Sequence, residues 1–200
     1  MADRYDTTDN PEDEYYPGTS VLINGTDIRD PEELLERETE LQLAAYETIF
    51  TSFDETLTPD LPFFYYLHHL IFSPLFVWAG RPRTVSISKG GTPFCPPQNI
   101  DAMMNSLFAE LEREGWLSGL STVPFMERAA YYVCEINAVH PFREGNGRAI
   151  RFYFDVLSAR ARGDIFDWTL TSENEYLRAC VAGFAADYGP MLTVLERCAS

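Results

Sequence analysis

A chain of 200 residues, 46% hydrophobic and 23% charged, suits one globular domain with a substantial core. A formal net charge of −16 disfavours nucleic acid and anionic membranes as direct partners. No run of about 18 apolar residues occurs and Met1-Ala2-Asp3-Arg4-Tyr5-Asp6 lacks a signal-segment pattern, so a soluble, cytoplasmic protein is expected.

In chain order, residues 1–15 are rich in Asp, Glu and Thr and poor in aliphatic side chains, which predicts a disordered acidic arm ahead of one domain at 16–200. Tyr15-Tyr16-Pro17-Gly18-Thr19 and Val21-Leu22-Ile23-Asn24 read as the chain docking onto a core. Asp30, Pro31 and Glu33 form an acidic version of the capping box, and Leu34, Leu41, Ala45 and Ile49 mark one buried helical stripe. A second helix is predicted over roughly 62–73, dense in aromatics. His68 and His69 lie within it, and a structural role is the expectation for both.

Residues 75–97 break the helical rhythm. Arg83-Thr84-Val85-Ser86-Ile87-Ser88 alternates with period two, Lys89-Gly90-Gly91-Thr92 is a turn, and Pro93-Phe94-Cys95 follows. This predicts one β-hairpin flap at about 82–96, which is marginal alone and must lean on helices. It serves either as a structural tongue or as an edge that pairs with an extended segment of a target. Helical spacing returns at Ile100, Met104, Leu107, Phe108 and Leu111, then from about Thr122 through Ala129, Tyr132, Val133 and Ile136. A further helix carries Ile150, Phe154 and Leu157 to about Arg162, and Ser172 with Glu175 caps a helix across Tyr176–Ala186. Gly189-Pro190 breaks the chain before a last helix, Met191–Cys198. The fold class is mainly α: a compact helical bundle with one β-hairpin. Cys95, Cys134, Cys180 and Cys198 show no metal spacing, and Cys134 and Cys180 read as core residues.

The chemistry concentrates in His140-Pro141-Phe142-Arg143-Glu144-Gly145-Asn146-Gly147-Arg148-Ala149-Ile150-Arg151. Gly145 and Gly147 let backbone N–H groups approach a ligand, and Asn146 between them tolerates left-handed geometry. They stand at a helix N-terminus, which suits a phosphate. Arg148 and Arg151 share one face a turn into that helix, where an anion would relieve their conflict with the dipole. They either bind that anion or pair with acidic residues of the chain. Glu144 is a hard-cation ligand, as for Mg²⁺, or a helix N-terminal acid, or both. His140 is a general-base candidate at the end of a buried helix.

The stretch matches H-x-F-x-[D/E]-G-N-G-R-x-x-R, and on it the chain resembles the Fic family, in its bacterial toxin–antitoxin and effector class. Trp78-Ala79-Gly80-Arg81 resembles the usual lead-in to that family's flap. The resemblance, over roughly residues 20–190, implies a protein adenylyltransferase that moves AMP from Mg²⁺–ATP to a Ser, Thr or Tyr hydroxyl of a target protein. It implies His140 as base and Glu144 as metal ligand. Gly145, Asn146 and Gly147 would cradle the α- and β-phosphates, with Asn146 on the α-phosphate, and Arg148 and Arg151 would take the β- and γ-phosphates. Ser88, Lys89 and Gly90 of the flap would clamp target or nucleotide. A Doc-like kinase using the same site and a non-catalytic nucleotide- or peptide-binding module are the alternatives. Thr169-Leu170-Thr171-Ser172-Glu173-Asn174 fits the family's inhibitory pattern literally. Ser172 reads as a helix cap instead, which points to a separate antitoxin-type inhibitor. DNA topoisomerases are candidate targets by the same resemblance, and a secreted effector stays open.

Overall fold

A computed structural model describes residues 5–7, 14–51 and 57–199. Seven α-helices dominate the described residues. In α1 (Pro31–Thr51) the Asp30 carboxylate accepts from the N–H groups of Glu32 and Glu33, the predicted start. In α2 (Leu61–Phe72) Asp60 accepts from Phe63, and Pro62 sits in the first turn, where it has no N–H to lose. Then follow α3 (Ile100–Arg113), α4 (Thr122–Val139), α5 (Asn146–Arg162), α6 (Glu173–Gly183) and α7 (Gly189–Cys198).

The core is centred on α4 and α5. Phe125, Tyr132, Val133 and Ile136 of α4 meet Ile150, Tyr153, Phe154 and Leu157 of α5, all fully buried. Helices α3, α6 and α7 flank α4, while α2 covers α5 and α1 lies against α2. A Cβ at Gly183 would lie 2.7 Å from the Cβ of Cys134, so a glycine is what lets α6 cross α4 this closely. Cys134, Cys180 and Cys198 are buried free thiols. The last two helices differ slightly from expectation. Ala186, at φ +57°, lies beyond the end of α6 at Gly183, and Pro190 opens α7 instead of preceding it. No helix among the described residues is long and apolar enough to cross a membrane.

The hairpin is shorter than the alternation predicted. Its strands are β2 (Ile87–Lys89) and β3 (Thr92–Pro93), joined by Gly90 and Gly91 at φ +57° and +77°, the left-handed pair that a two-residue hairpin turn requires. Residues 83–86 leave the ladder because Arg83 turns inward. The sheet also has a third member. Asp6–Thr7, here β1, pairs antiparallel with β2, placing Asp6 opposite Ser88 and Thr7 opposite Ile87.

The disordered arm expected over 1–15 therefore needs correction at two places. Tyr5–Thr7 is held by the sheet edge, and Glu14 and Tyr15 are held by Arg143. Two aromatic side chains supply apolar contact that the acidic composition conceals. Residues 1–4 and 8–13 lie outside the described residues. Tyr15, Tyr16, Val21 and Leu22 are buried, as the docking segment predicted.

Asp155 is the carboxylate that ties α1, α5 and the following loop together. It accepts from Tyr46 Oη (2.6 Å), Trp168 Nε1 (3.0 Å) and the Phe166 N–H (3.1 Å). Burial raises its pKa to about 6, against the lowering effect of those hydrogen bonds. The folded protein thus retains a proton that an unfolded chain, with a carboxyl near 3.9, has already released. Stability from this group is largest below about pH 4, and falls by about 3 kcal/mol as the pH rises through about 6. Urea unfolding at stepped pH should show this decline in the wild type and not in Asp155→Asn. A gap between the two proteins that does not change with pH would contradict it.

Candidate active site

His140 ends α4 in the left-handed conformation, φ +52° and ψ +62°, with its N–H on the Ile136 carbonyl. That turn aims the ring away from the helix axis. Nδ1 lies 3.0 Å from the Asn137 carbonyl oxygen. A carbonyl only accepts, so Nδ1 carries the proton and Nε2 of the neutral ring carries the lone pair. Burial lowers the His140 pKa to about 3, so the ring is neutral at physiological pH. Phe94 stacks on it at 3.8 Å between centroids, and the residue is only 5% exposed. Nε2 accepts a hydrogen bond from Tyr5 Oη at 2.8 Å. A hydroxyl therefore already sits where a base would take a proton.

The loop after His140 is held from inside. Asn146 is 1% exposed, with Oδ1 accepting from the Phe142 N–H and Nδ2 donating to the Phe142 carbonyl, each at 2.8 Å. Its carboxamide thus closes the loop, and what Asn146 offers the α-phosphate expected there is its backbone N–H. Phe142 stacks on His68 at 3.7 Å and packs on Phe64, as an anchor in the core. His68 is structural, as expected. Its Nδ1 accepts from the Gly80 N–H (2.9 Å), which leaves Nε2–H to donate to the Glu144 carbonyl (3.0 Å). His69 Nδ1 donates to the Ala79 carbonyl at 3.2 Å. The two histidines join the hairpin lead-in and the motif loop to α2.

Gly145 precedes α5 at φ +79°, and a Cβ there would strike the Phe72 ring at 2.4 Å. Among the described residues no side chain caps this helix start, which leaves the first-turn N–H groups of Asn146, Gly147 and Arg148 in an arrangement that suits an anion. Gly147 is helical, and a Cβ on it would meet only Arg151 Nη1, at 3.6 Å.

The arginines divide by partner. Arg143 is buried, bonded to Glu14 (2.7 Å) and Tyr15 Oη (2.9 Å), and holds the arm; its Nη1 has no partner among the described residues. Arg148 pairs with Glu38 of α1 at 2.6 Å and lies over the Phe72 ring. Five donors on a guanidinium let it share itself between Glu38 and a phosphate. Arg151 lies over the Tyr176 ring at 5.1 Å. Glu144 has a half-buried side chain, 36% exposed, with Oε1 accepting from the Gly145 N–H. Among the described residues no cluster of three or more His, Cys, Asp or Glu could hold a metal. One accessible carboxylate beside an anion nest still fits Mg²⁺, which commonly takes one or two carboxylates, with substrate phosphates and waters completing its shell.

Glu38 was legible in one respect. It falls on the Leu34, Leu41, Ala45 stripe, where a buried charge needs a partner. Arg83 gave no such signal, since it begins an alternating run. Yet it is 5% exposed, and its guanidinium donates to the carbonyls of His140 (2.9 Å), Val139 (3.3 Å), Val85 (2.6 Å) and Cys95 (2.6 Å). Its own N–H bonds to Pro141, and the Cys95 N–H bonds to Ala138. The root of the hairpin is thereby fastened to the backbone that carries His140. Lys89 Nζ stands 5.6 Å from the Tyr5 ring centroid, Ser88 pairs with Asp6, and Gly90 makes the turn. Arg83→Met would leave buried carbonyls without donors and lower the unfolding free energy by about 3 kcal/mol. Urea unfolding checks this, and an unchanged midpoint would show that the bonds contribute nothing net.

The sequence model of the Fic/DOC family matches residues 58–158. The chain is 32% identical over 200 residues to the probable protein adenylyltransferase Fic of Escherichia coli (strain K12), covering 100% of this chain and 97% of that protein. To the protein adenylyltransferase VbhT of Bartonella schoenbuchensis it is 32% identical over 182 residues, 90% of this chain and 37% of that longer one. Among solved structures, the BepC protein with bound AMPPNP from Bartonella tribocorum aligns at TM-score 0.80 and 27% identity, covering 93% and 95% of the two chains. The N-terminal FIC domain of Bep8 from Bartonella sp. 1-1C shares the fold at TM-score 0.86 and 22% identity, covering 94% of each. A helical bundle with a hairpin, a motif loop held between α4 and α5, and matches along the whole length agree: the chain belongs to the Fic/DOC family.

Proposed function

We propose that the protein is an adenylyltransferase that moves AMP from ATP to a hydroxyl of a target protein. The observation that carries this reading is the neutral His140 ring, its Nε2 lone pair at hydrogen-bond distance from a hydroxyl. The relatives named as adenylyltransferases and the AMPPNP-bound neighbour support it. Transfer of a phosphoryl-type group needs charge neutralisation and alignment more than covalent help, and this site offers both. The first-turn N–H groups of Asn146, Gly147 and Arg148 take the α- and β-phosphates, with Gly145 giving the backbone room. Arg148 and Arg151 hold the β- and γ-phosphates. His140 Nε2 receives the acceptor's proton. Glu144 would hold Mg²⁺, which when bound neutralises phosphate charge. Ser88 and Lys89 of β2, with Gly90 of the turn, face the acceptor segment.

Restraint by a separate antitoxin-type partner is part of the reading. The candidate inhibitory segment is spent on local structure: Ser172 Oγ accepts from the Glu175 N–H, Glu175 returns to Ser172, and Asp167 accepts from Thr169. That leaves Glu173 at the first helical position of α6. DNA topoisomerases are candidate targets in this reading, and such a target sets its action in the cytoplasm.

Incubation with Mg²⁺ and ATP labelled at the α- or the γ-phosphate, with bacterial lysate as acceptor, tests the reaction. Protein-bound label is expected from α, with a loss of about 10²–10⁴-fold in His140→Ala while nucleotide binding persists. Label from γ alone would make the protein a kinase. Full transfer in the His140 variant would remove the base from its role.

A further inference from the structure

Two of the 21 residues of α1 are buried, Ala45 and Glu38. A buried carboxylate needs a partner, and the one Glu38 has is Arg148, at 2.6 Å. Stability does not account for the choice. Apolar side chains of similar volume in place of a buried ion pair commonly leave a protein as stable or more so. What the pair does is fix Arg148, and Arg148 belongs to the motif.

Arg148 stands between two carboxylates. Glu38 Oε2 takes Nη1, while Nη2 stops 4.0 Å from Glu144 Oε1, beyond hydrogen-bond reach. The Phe72 ring supports the guanidinium from one face, 4.7 Å away at its centroid. Yet Glu144 lies four residues before Arg148 at the start of α5, acid first, an order that favours closing the ion pair. Glu144 Oε1 takes the Gly145 N–H instead, at 2.9 Å, and Oε2 has no hydrogen-bond partner among the described residues. The contact with α1 is what keeps the two motif residues apart.

We propose that Glu38 is a positioning residue for the metal site: it holds Arg148 back and so leaves Glu144 open to a divalent cation. The inference rests on Glu144 as the Mg²⁺ ligand, as read above. Without the Glu38 charge, Arg148 turns to the remaining carboxylate, and Glu144 gives its oxygens to a guanidinium. Charge counting points the same way. Glu38, Glu144 and Arg148 together carry one net negative charge, and a neutral side chain at position 38 removes it. That set attracts a cation less.

The affinity of the full chain for α,β-methylene ATP, whose α–β bridge resists cleavage, is measured by calorimetry with EDTA and with saturating Mg²⁺. The ratio of the two reads what the metal adds. Glu144→Gln should lose most of that gain. Glu38→Gln, checked for folding by its thermal melt, should keep about a tenth of it, as loss of an outer-shell partner commonly does. Replacing the pair together, Glu38→Leu with Arg148→Met, removes the competing guanidinium, so the gain should return even though phosphate binding weakens. This paired variant buries no charge at the contact and tests the route even where Glu38→Gln does not fold. An undiminished gain in folded Glu38→Gln, with Glu144→Gln deficient, would overturn the role of Glu38 and leave Glu144 as the ligand. A gain that stays lost in the paired variant would overturn the route through Arg148. If Glu144→Gln keeps the full gain, the metal reading itself falls, and this inference with it.

Discussion

One left-handed residue sets the geometry around the site. His140 has a side chain, yet it adopts a conformation that costs a non-glycine residue roughly 1–2 kcal/mol. Three features hold it there. Helix α4 is buried along most of its length, the Asn137 carbonyl takes the Nδ1 proton, and Arg83 donates to the carbonyls of residues 139 and 140. The same turn sends the chain directly into the motif loop and leaves Nε2 facing the hairpin. Orientation and tautomer of His140 thus come from backbone hydrogen bonding, with no carboxylate partner among the described residues.

The loop between α4 and α5 is rigid for related reasons. Asn146 closes it onto Phe142, Phe142 stacks on His68, and His68 uses both ring nitrogens to join Gly80 to Glu144. Gly145 fits against Phe72 only because it lacks a Cβ. The uncapped N–H groups at the start of α5 are therefore held in place by the fold itself, and an anion that met them would not have to order them. Arg148, already paired with Glu38, can add a phosphate without leaving its place.

Much of this was written in local sequence. Asp30 and Ser172 announce their helices, since a cap acts within a few residues, and the twelve-residue motif puts histidine, glycines and arginines in one stretch. What was not legible depends on pairings across long separations. Asp6 meets Ser88 through two backbone strands whose side chains carry no mark of it. Arg83 begins an alternating run and so reads as a surface strand residue, whereas its guanidinium collects carbonyls from residues 85, 95, 139 and 140. Nor does local sequence mark the pairing of the Asn146 carboxamide with the Phe142 backbone, which forms only once the loop is folded.

The three-stranded sheet also bears on how copies of the chain meet one another. The edges of the sheet are β1 and β3, each of only two residues, and Pro93 has no N–H to donate, so neither offers a long row of donors to a neighbouring molecule. Whenever the arm lifts, the β2 edge is uncovered and the chain presents an open strand to its surroundings. Its brevity, three residues, and the mutual repulsion of molecules carrying a net charge of −16 then oppose growth of the sheet from chain to chain. Cover of the β2 edge and protection against strand-to-strand association are thus linked through the same two residues of the arm.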